Sequence, residues 1–282
     1  MKAKAITRIV IYGLITMMLL GILTGGIIMK AIPFINFSTG IVGGTKSSSG
    51  TADSTTVNKL DINWTSGNIT LRTAEIEEIQ FEESGVTRDE NRMVWKVSQD
   101  TLTIQSSEGT MFFGVHIDIK KDLVITVPLD WVCNELAIDS AAASVTCSGI
   151  TAGTVELNSA SGEADFNLCD INELEIDTAS GNVHYSGYLN TMDCSAVSAD
   201  ITAHFIRTPS KISVDGISGD LEITLPEDAG FRMENDTISG DIDCDFDTAM
   251  LDDTYVAGDG KCEIEIDGIS GNVRIHKHVE LD

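Results

Sequence analysis

Apolar and polar residues alternate one by one along most of the chain, which is the period of a β-strand with one buried face. Residues 174–187, LEIDTASGNVHYSG, contain two such stretches joined by Ser-Gly-Asn. Glycine accepts the positive φ of a tight corner, and serine, asparagine and aspartate bond nearby backbone amides there. The pattern therefore predicts a strand, a corner and a second strand.

This strand–corner–strand pattern returns along the chain in copies that begin at residues 60, 136, 155, 174, 192, 212, 233 and 264. The apolar residue that follows each corner marks the period: Ile69, Val145, Ala164, Val183, Ile201, Leu221, Ile242 and Val273. From Val145 to Ile242 the steps are 19, 19, 18, 20 and 21 residues. A β-type repeat near ~20 residues indicates a solenoid, in which each coil covers the apolar face of the next. The sequence predicts an all-β, β-helix-like stack in which Val145, Val183 and Leu221 share one inner column.

Three departures from the pattern qualify this prediction. Alanine replaces the corner glycine at Ala143 and Ala199, so these corners must accept a Cβ atom. The step from Ile242 to Val273 is 31 residues, and we interpret the extra residues 247–261 as an acidic loop. Within residues 70–135, NRMVWKVSQDTLTIQ predicts a hairpin, and IDIKKDLVITVPLDW predicts an antiparallel strand that leads into the first regular coil.

The series of Ser-Gly-Asp/Asn corners, the DTLTIQ hairpin and the LVITVPLD strand together resemble the bacterial putative-adhesin domain family over about residues 58–278. That family consists of β-strand-repeat proteins of unknown function, often preceded by one transmembrane helix. The resemblance implies a membrane-anchored envelope protein, and it brings no catalytic residues to carry over.

The N-terminal region has a different pattern. Residues 9–29 contain no charged side chain, and 21 residues at ~1.5 Å each are enough to cross a bilayer. Because Lys2, Lys4 and Arg8 precede this segment, it predicts a single transmembrane helix with residues 1–8 in the cytoplasm and residues 59–282 outside. A cleaved signal peptide is the alternative, although no convincing small-x-small site follows. Residues 30–58 read as a juxtamembrane segment and a Gly/Ser/Thr linker.

Charge narrows the possible partners. The chain has a formal charge of −26, and residues 59–282 alone carry 13 basic and 43 acidic side chains. Such a domain repels nucleic acid and anionic lipid, and it attracts cations and basic partners. Nucleic-acid binding is therefore excluded.

The six cysteines have positions typical of small buried hydrophobic residues. Cys147 and Cys244 occupy a slot that other copies fill with leucine, isoleucine or phenylalanine, and Cys194 occupies a slot of Ile176 and Val214. Counted along the chain, Cys147 and Cys244 lie five coils apart, about 24 Å, which is too far for a disulfide. We expect free buried thiols there, and leave Cys133, Cys169 and Cys262 open.

Carboxylates are the candidate ligands. Asp200, Asp220 and Asp241 directly precede their period marks in three consecutive copies, and another set, Asp139, Asp177, Asp215 and Asp267, follows the first strand of its copy. Stacked coils would bring like charges to ~4.8 Å, which costs about 0.9 kcal/mol per pair even in water. Either asparagine, serine and solvent dilute these columns, or calcium binds between the first three residues. The calcium-binding nonapeptide repeat is absent from the sequence.

None of the five histidines lies in a recognisable catalytic or zinc-binding motif. A solvated tail explains HKH at 276–278 better than a weak metal site. The histidines are His116, His184, His204, His276 and His278.

These observations favour a non-catalytic, membrane-anchored cell-envelope protein, acting as an adhesin-like or scaffold module with an envelope-protein or cell-wall partner. A sensing or accessory component of an envelope stress or signalling system is the alternative. A carbohydrate-active β-helix enzyme is a more distant one, because no two carboxylates stand out as an acid/base pair. The sequence assigns no catalytic residue, and it leaves the oligomeric state open.

Overall fold

The computed structural model describes residues 41–86, 88–107, 111–112, 115–116 and 120–278. Their regular secondary structure consists of β-strands joined by turns and short loops, apart from one 3-10 turn at Asp89–Asn91. The strands are β1 (Thr45–Lys46), β2 (Ser49–Asp53), β3 (Lys59–Ala74), β4 (Glu78–Ser84), β5 (Val94–Ser98), β6 (Thr101–Gln105), β7 (Met111–Phe112), β8 (Val115–His116), β9 (Lys121–Pro128), β10 (Val132–Ser148), β11 (Thr151–Ser159), β12 (Ala164–Ser180), β13 (Val183–Ser198), β14 (Ile201–Phe205), β15 (Lys211–Ser218), β16 (Leu221–Pro226), β17 (Phe231–Ser239), β18 (Ile242–Cys244), β19 (Thr248–Leu251), β20 (Thr254–Ala257), β21 (Cys262–Ser270) and β22 (Val273–His278).

Within these described ranges no helix is long and apolar enough to cross a membrane. The predicted cytoplasmic segment 1–8 and the predicted transmembrane helix 9–29 lie outside the described residues.

Each coil supplies one strand segment before its corner and one after it. We call the stack of segments before the corners the first sheet and the stack after them the second sheet. The central coils stack in parallel: β10 pairs with β11 in the first sheet and with β12 in the second. Alternate side chains from both sheets point into one continuous apolar core. The all-β prediction is confirmed, and the long parallel stacking agrees with a solenoid.

Equivalent apolar residues lie directly above one another, as the period predicted. In the first sheet the inner column is Leu102, Leu60, Leu136, Val155, Leu174, Met192, Ile212, Ile264 and Met233. In the second sheet it is Leu123, Ile69, Val145, Ala164, Val183, Ile201, Leu221, Val273 and Ile242. Val145, Val183 and Leu221 therefore share one inner column, and each is at most 5% exposed.

The assumption that coils follow one another in chain order is wrong at both ends. The coil of β3 lies between that of β6 and β9 and that of β10. The coil of β21 and β22 lies between that of β15 and β16 and that of β17 and β18. The chain thus inserts its first and last coils one place inside each end. Both are covered on two sides, which protects their backbone bonds from the fraying of an edge strand.

Antiparallel strands continue the stack at each end. The predicted hairpin is β5 and β6, and the strand that reaches Pro128 is β9, which pairs antiparallel with β4 but parallel with β3. The prediction of an acidic loop at 247–261 is wrong, since β19 and β20 form a hairpin there and β20 pairs with β17. Asp252 and Asp253 both have positive φ, as a two-residue hairpin turn requires.

The linker prediction for residues 30–58 is also wrong in its C-terminal part. β2 pairs antiparallel with β4, and β1 pairs with β5, so the Ser/Gly/Thr-rich stretch belongs to the folded end of the stack. Small polar residues suit this position because an outermost strand faces solvent on one side.

Every cysteine is a free thiol, and five are buried while Cys244 is half-buried. Burial raises the pKa of Cys133, Cys194 and Cys262 to about 12 in each case. The inserted last coil places Cys147 and Cys244 six coils apart, about 29 Å, rather than five. The thiols therefore serve as apolar core atoms.

The corner glycines allow close stacking of the backbone. Gly181 has φ +117, and a Cβ added there would meet the carbonyl oxygen of Gly162, in the neighbouring coil, at 1.9 Å. Ala143 and Ala199 avoid this conflict because neither adopts a positive φ. The corner thus has two backbone forms, and only the glycine form excludes a side chain.

We expect Gly181→Ala to destabilise the fold by at least ~2 kcal/mol, since the new methyl group meets backbone that cannot move aside. The melting temperature in a thermal scan should fall by about 4–8 °C. Gly216→Ala is the matched control, because its φ is not positive, its nearest neighbour lies at 3.7 Å and it lines a small cavity of about 40 Å³. Equal melting temperatures for both variants would contradict this account of the corner.

Candidate functional site

The outward side of the first sheet carries two adjacent rows of carboxylates across successive coils. We call it the acidic outer face; its members are Asp61, Asp139, Glu156, Glu175, Asp177, Asp193, Asp215, Glu234, Asp236, Glu265 and Asp267. They arise because the polar positions of the alternating strands point away from the core and parallel register places each above its equivalent.

The first row puts like charges next to one another. Glu156, Glu175 and Asp193 are direct neighbours in three consecutive coils. Partial burial, followed by repulsion from the surrounding carboxylates, raises the pKa of Glu175. Burial also raises the pKa of Asp193, while Lys211 opposes that change. These three positions therefore form a strip of closely spaced negative charge, whereas Glu265, nearer the C-terminal end of the row, pairs with Lys211 Nζ at 3.0 Å.

The second row is diluted over part of its length, as one of the two sequence-based alternatives proposed. Asn158 lies between Asp139 and Asp177, and its Nδ2 donates to Asp139 Oδ1 at 3.1 Å. Ser195 follows Asp177 and bonds to it, which opposes the rise in pKa that burial causes there. Neutral hydrogen-bonding residues thus separate like charges in the middle of the stack.

Toward the C-terminal end of the second row, neutral residues no longer separate the aspartates. Asp215, Asp267 and Asp236 occupy three consecutive coils without a neutral residue between them. Burial, followed by repulsion from Asp267, raises the pKa of Asp215 to about 6. The last coils therefore hold the most strongly perturbed carboxylate of the acidic outer face.

Asp200, Asp220 and Asp241 have a different role, on the corner edge of the second sheet. Asp200 Oδ1 accepts the backbone N–H of Asp220 at 2.9 Å, and Asp220 Oδ1 accepts that of Asn272 at 2.9 Å. Asn272 Oδ1 then accepts the N–H of Asp241 at 3.1 Å. In these coils the Asp or Asn that follows the corner thus bonds the same position of the next coil, which explains why this residue pair recurs there.

The structure brings together only part of the proposed calcium set. Asp200 and Asp220 are neighbours, whereas the inserted coil places Asn272 between Asp220 and Asp241. Asp220 Oδ2 also accepts from Arg274 Nη1 at 3.1 Å. Within the described part of the chain, no group of three or more His, Cys, Asp and Glu side chains is arranged to hold a metal ion. Calcium binding stays a prediction. Backbone N–H groups and the guanidinium of Arg274 already donate hydrogen bonds to the carboxylate oxygens of Asp200 and Asp220.

Two histidines of the C-terminal HKH have partners that the sequence did not indicate. His278 Nδ1 lies 3.0 Å from His204 Nε2, and the two rings are tilted by 38° with their centroids 4.7 Å apart. His276 Nδ1 lies 3.1 Å from Asp245 Oδ2. The prediction of a solvated tail is therefore wrong, because residues 276–278 belong to the ordered strand β22. Sequence alone did not indicate these contacts because the pairing strand, β16, lies 52 residues earlier in the chain.

The sequence also gave no sign of a buried ion pair at the N-terminal end. Lys121 Nζ lies 3.3 Å from Glu83 Oε2, donates to Asn91 O at 2.9 Å and sits 5.1 Å from the centre of the Trp64 ring. Burial lowers the pKa of Lys121, and Glu83 opposes that change. The pair joins β4, β9 and the 3-10 turn, so it holds the end coil in place.

We expect Asp215→Asn to stabilise the fold at pH 7.5 and to have little effect at pH 4. A raised pKa means that the folded state holds the proton more tightly, so ionisation lowers stability as pH rises from about 4 through about 6. After discount for solvent screening, about 1 kcal/mol is expected, or 2–4 °C in melting temperature.

Asp220→Asn is the control of opposite sign. The N–H of Asn272, and then Arg274, lower the pKa of Asp220, so its ionised form stabilises the fold above the ordinary pKa of aspartate. This variant should melt lower than the parent at pH 7.5, with the difference shrinking as pH falls. A stabilised Asp220→Asn, or an Asp215→Asn gain that persists at pH 4, would contradict the charge assignment.

A comparison with known protein families identifies the family to which the chain belongs. The family model described as Toastrack DUF4097 matches residues 57–276, which confirms the resemblance drawn from the corners and the flanking strands. No curated protein sequence matches the chain.

Several solved structures also matched the chain. One is a putative cell adhesion protein from Clostridium sporogenes ATCC 15579, with 16% identity, a TM-score of 0.37, and coverage of 82% of this chain and 98% of that one. A putative adhesin from Bacteroides fragilis NCTC 9343 has 12% identity, a TM-score of 0.33, and coverage of 80% and 95%. A putative lipid binding protein from Parabacteroides distasonis ATCC 8503 has 12% identity, a TM-score of 0.31 and the same coverage. At these scores the likenesses carry no argument about function.

Proposed function

The chain belongs to the Toastrack DUF4097 family, and we propose that it is a non-catalytic interaction module of the cell envelope. Residues 9–29 anchor it in the cytoplasmic membrane, residues 1–8 lie in the cytoplasm, and the β-domain stands outside. The module acts as an adhesin-like or scaffold protein toward an envelope protein or a cell-wall component.

The acidic outer face is the observation that carries this proposal. Its carboxylates repeat at the coil spacing over a broad sheet surface, and several have raised pKa values because burial and then, at Glu175 and Asp215, neighbours of the same charge disfavour the ionised form. A partner with basic groups or bound cations relieves this repulsion on contact, so the face favours association with positive surfaces. An enzyme needs a few specialised groups, whereas most carboxylates of this face recur at equivalent positions of successive coils.

Membrane topology tests the anchoring part of the proposal. The experiment uses a Cys244→Ala background, since Cys244 is half-buried, and the five buried native thiols should not react with a membrane-impermeant maleimide because burial keeps them protonated and inaccessible. In intact cells, a cysteine introduced by Glu227→Cys in an exposed turn should be labelled, whereas one introduced by Lys4→Cys should be labelled only after permeabilisation. Labelling in the reverse order would overturn the proposed orientation.

Cross-linking in native membranes separates a scaffold from a sensor. With a photo-reactive side chain in place of Glu175, a scaffold should capture cell-wall material or abundant envelope proteins. A sensing component should instead capture one membrane protein reproducibly. The same substitution at Glu227, outside the acidic outer face, is the matched control. Identical products from both positions would show that the acidic outer face has no role in recognition.

A further inference from the structure

The C-terminal end of the stack is unbalanced. Beyond the inserted coil of β21 and β22, the first sheet continues through β17, β20 and β19. The second sheet continues through β18 alone, whose one strand partner among the described residues is β22. At the opposite end the two sheets match, with β5 and β1 in one and β4 and β2 in the other. Among the described strands, the second sheet is therefore short of a partner only beside β18.

The free edge of β18 presents backbone groups ready for pairing. Asp241 O accepts from Val273, and Asp245 N–H donates to Ile275, so these alternate residues direct their backbone toward β22. The intervening residues Ile242 and Cys244 consequently direct their N–H and C=O groups away from β22. An extended strand laid along this edge would meet them as the next rung of the sheet.

The core-facing side of the β18 edge is apolar and incompletely covered. Ile242 and Cys244 are only half-buried, in contrast to their equivalents Val273 and Ile275 in the preceding coil. On the first sheet, Tyr255 is half-buried and its neighbour Met250 is 59% exposed, although Met250 continues the inner row of Met233. One more strand beside β18 would face these side chains across the core spacing of ~10 Å.

The outward side of the edge is acidic at every second position. In the stretch DIDCDFD, residues 241–247, the apolar side chains Ile242, Cys244 and Phe246 alternate with four aspartates. Asp243 is exposed, and its neighbour on β22, Arg274, bonds Asp220 instead. Asp245 is paired with His276. Asp243 and Asp247 are therefore placed to attract positive side chains on an incoming strand.

We propose that the β18 edge binds an extended segment of a partner protein in which apolar and basic side chains alternate. Its apolar side chains cover Tyr255 and Met250, its basic side chains lie beside Asp243 and Asp247, and its backbone pairs with Ile242 and Cys244. This inference rests on the proposed interaction role, because it names the chemistry of a partner for the same domain.

A synthetic peptide tests the proposal on the full-length chain in detergent. The probe is an end-capped peptide of about seven residues in which lysine and valine alternate, and the control peptide contains the same residues in two blocks. The alternating peptide should bind at least ten-fold more tightly in fluorescence anisotropy. Hydrogen exchange of the backbone amides of Ile242 and Cys244 should slow when the alternating peptide is bound, since these donors become paired.

A charge-reversing pair of variants separates the edge from the general negative charge of the domain. Asp243→Lys should weaken binding of the alternating peptide about ten-fold or more. Asp165→Lys, in the same outward row of the second sheet but five coils away, should change it less than two-fold. Thermal scans check that both variants fold.

Three results would overturn the proposal: equal binding of the two peptides, equal loss in the two variants, or unchanged exchange at Ile242 and Cys244. Each would mean that the carboxylates of β18 only attract basic peptides non-specifically, or that they keep other strands away from the edge. None of these results bears on capture by the acidic outer face in membranes, so failure here and failure of the proposed function are distinguishable.

Discussion

Parallel stacking in register is the constraint on which the rest of the structure depends. Each coil lies about 4.8 Å from the next, so every residue has its own equivalent as a neighbour on each side. At inner positions the rule is favourable, because Leu136, Val155 and Leu174 cover one another and bury an apolar column. At outer positions the same rule brings carboxylate beside carboxylate. The stable core and the strained surface therefore have a single geometric cause.

The molecule relieves this repulsion in two ways. In the second row of the acidic outer face, Asn158 and Ser195 separate aspartates and donate hydrogen bonds to them. At the corners of the second sheet, the repulsion is avoided because aspartate and asparagine oxygens bind the backbone N–H of the next coil. Asp215 has Ser195 on one side but Asp267 on the other, and burial, followed by repulsion from Asp267, raises the pKa of Asp215 to about 6. This uncompensated charge marks the surface that a positive partner would stabilise.

The two ends of the solenoid show how an unclosed β-stack covers most of its edge strands. At each end the chain inserts its terminal coil inside the outermost one and then adds antiparallel strands, so the coil nearest each chain end has neighbours on both sides. The N-terminal end is further held by the buried pair of Lys121 and Glu83. The C-terminal end is covered on the first sheet only, which leaves β18 as its open edge.

The sequence by itself determined the β-class, the coil length, the inner columns and the core role of cysteines such as Cys147 and Cys194. These follow from local alternation and from spacing, which the chain carries in every copy. It also indicated the two alternatives for the acid columns, although it could not say that asparagine and serine dilute one and that backbone N–H groups occupy the other. The resemblance to the family rested on the same local corners.

Only the tertiary structure decided the spatial order of the coils. The copies at 212, 233 and 264 have nearly the same pattern, so any of them fits beside any other, and the sequence contains no local signal for the insertion. Long-range packing makes the choice, because a hairpin at 247–261 can cap one coil and leave the next free to return inside it. That order separates Asp241 from Asp220, pairs His278 with His204 and leaves the β18 edge open.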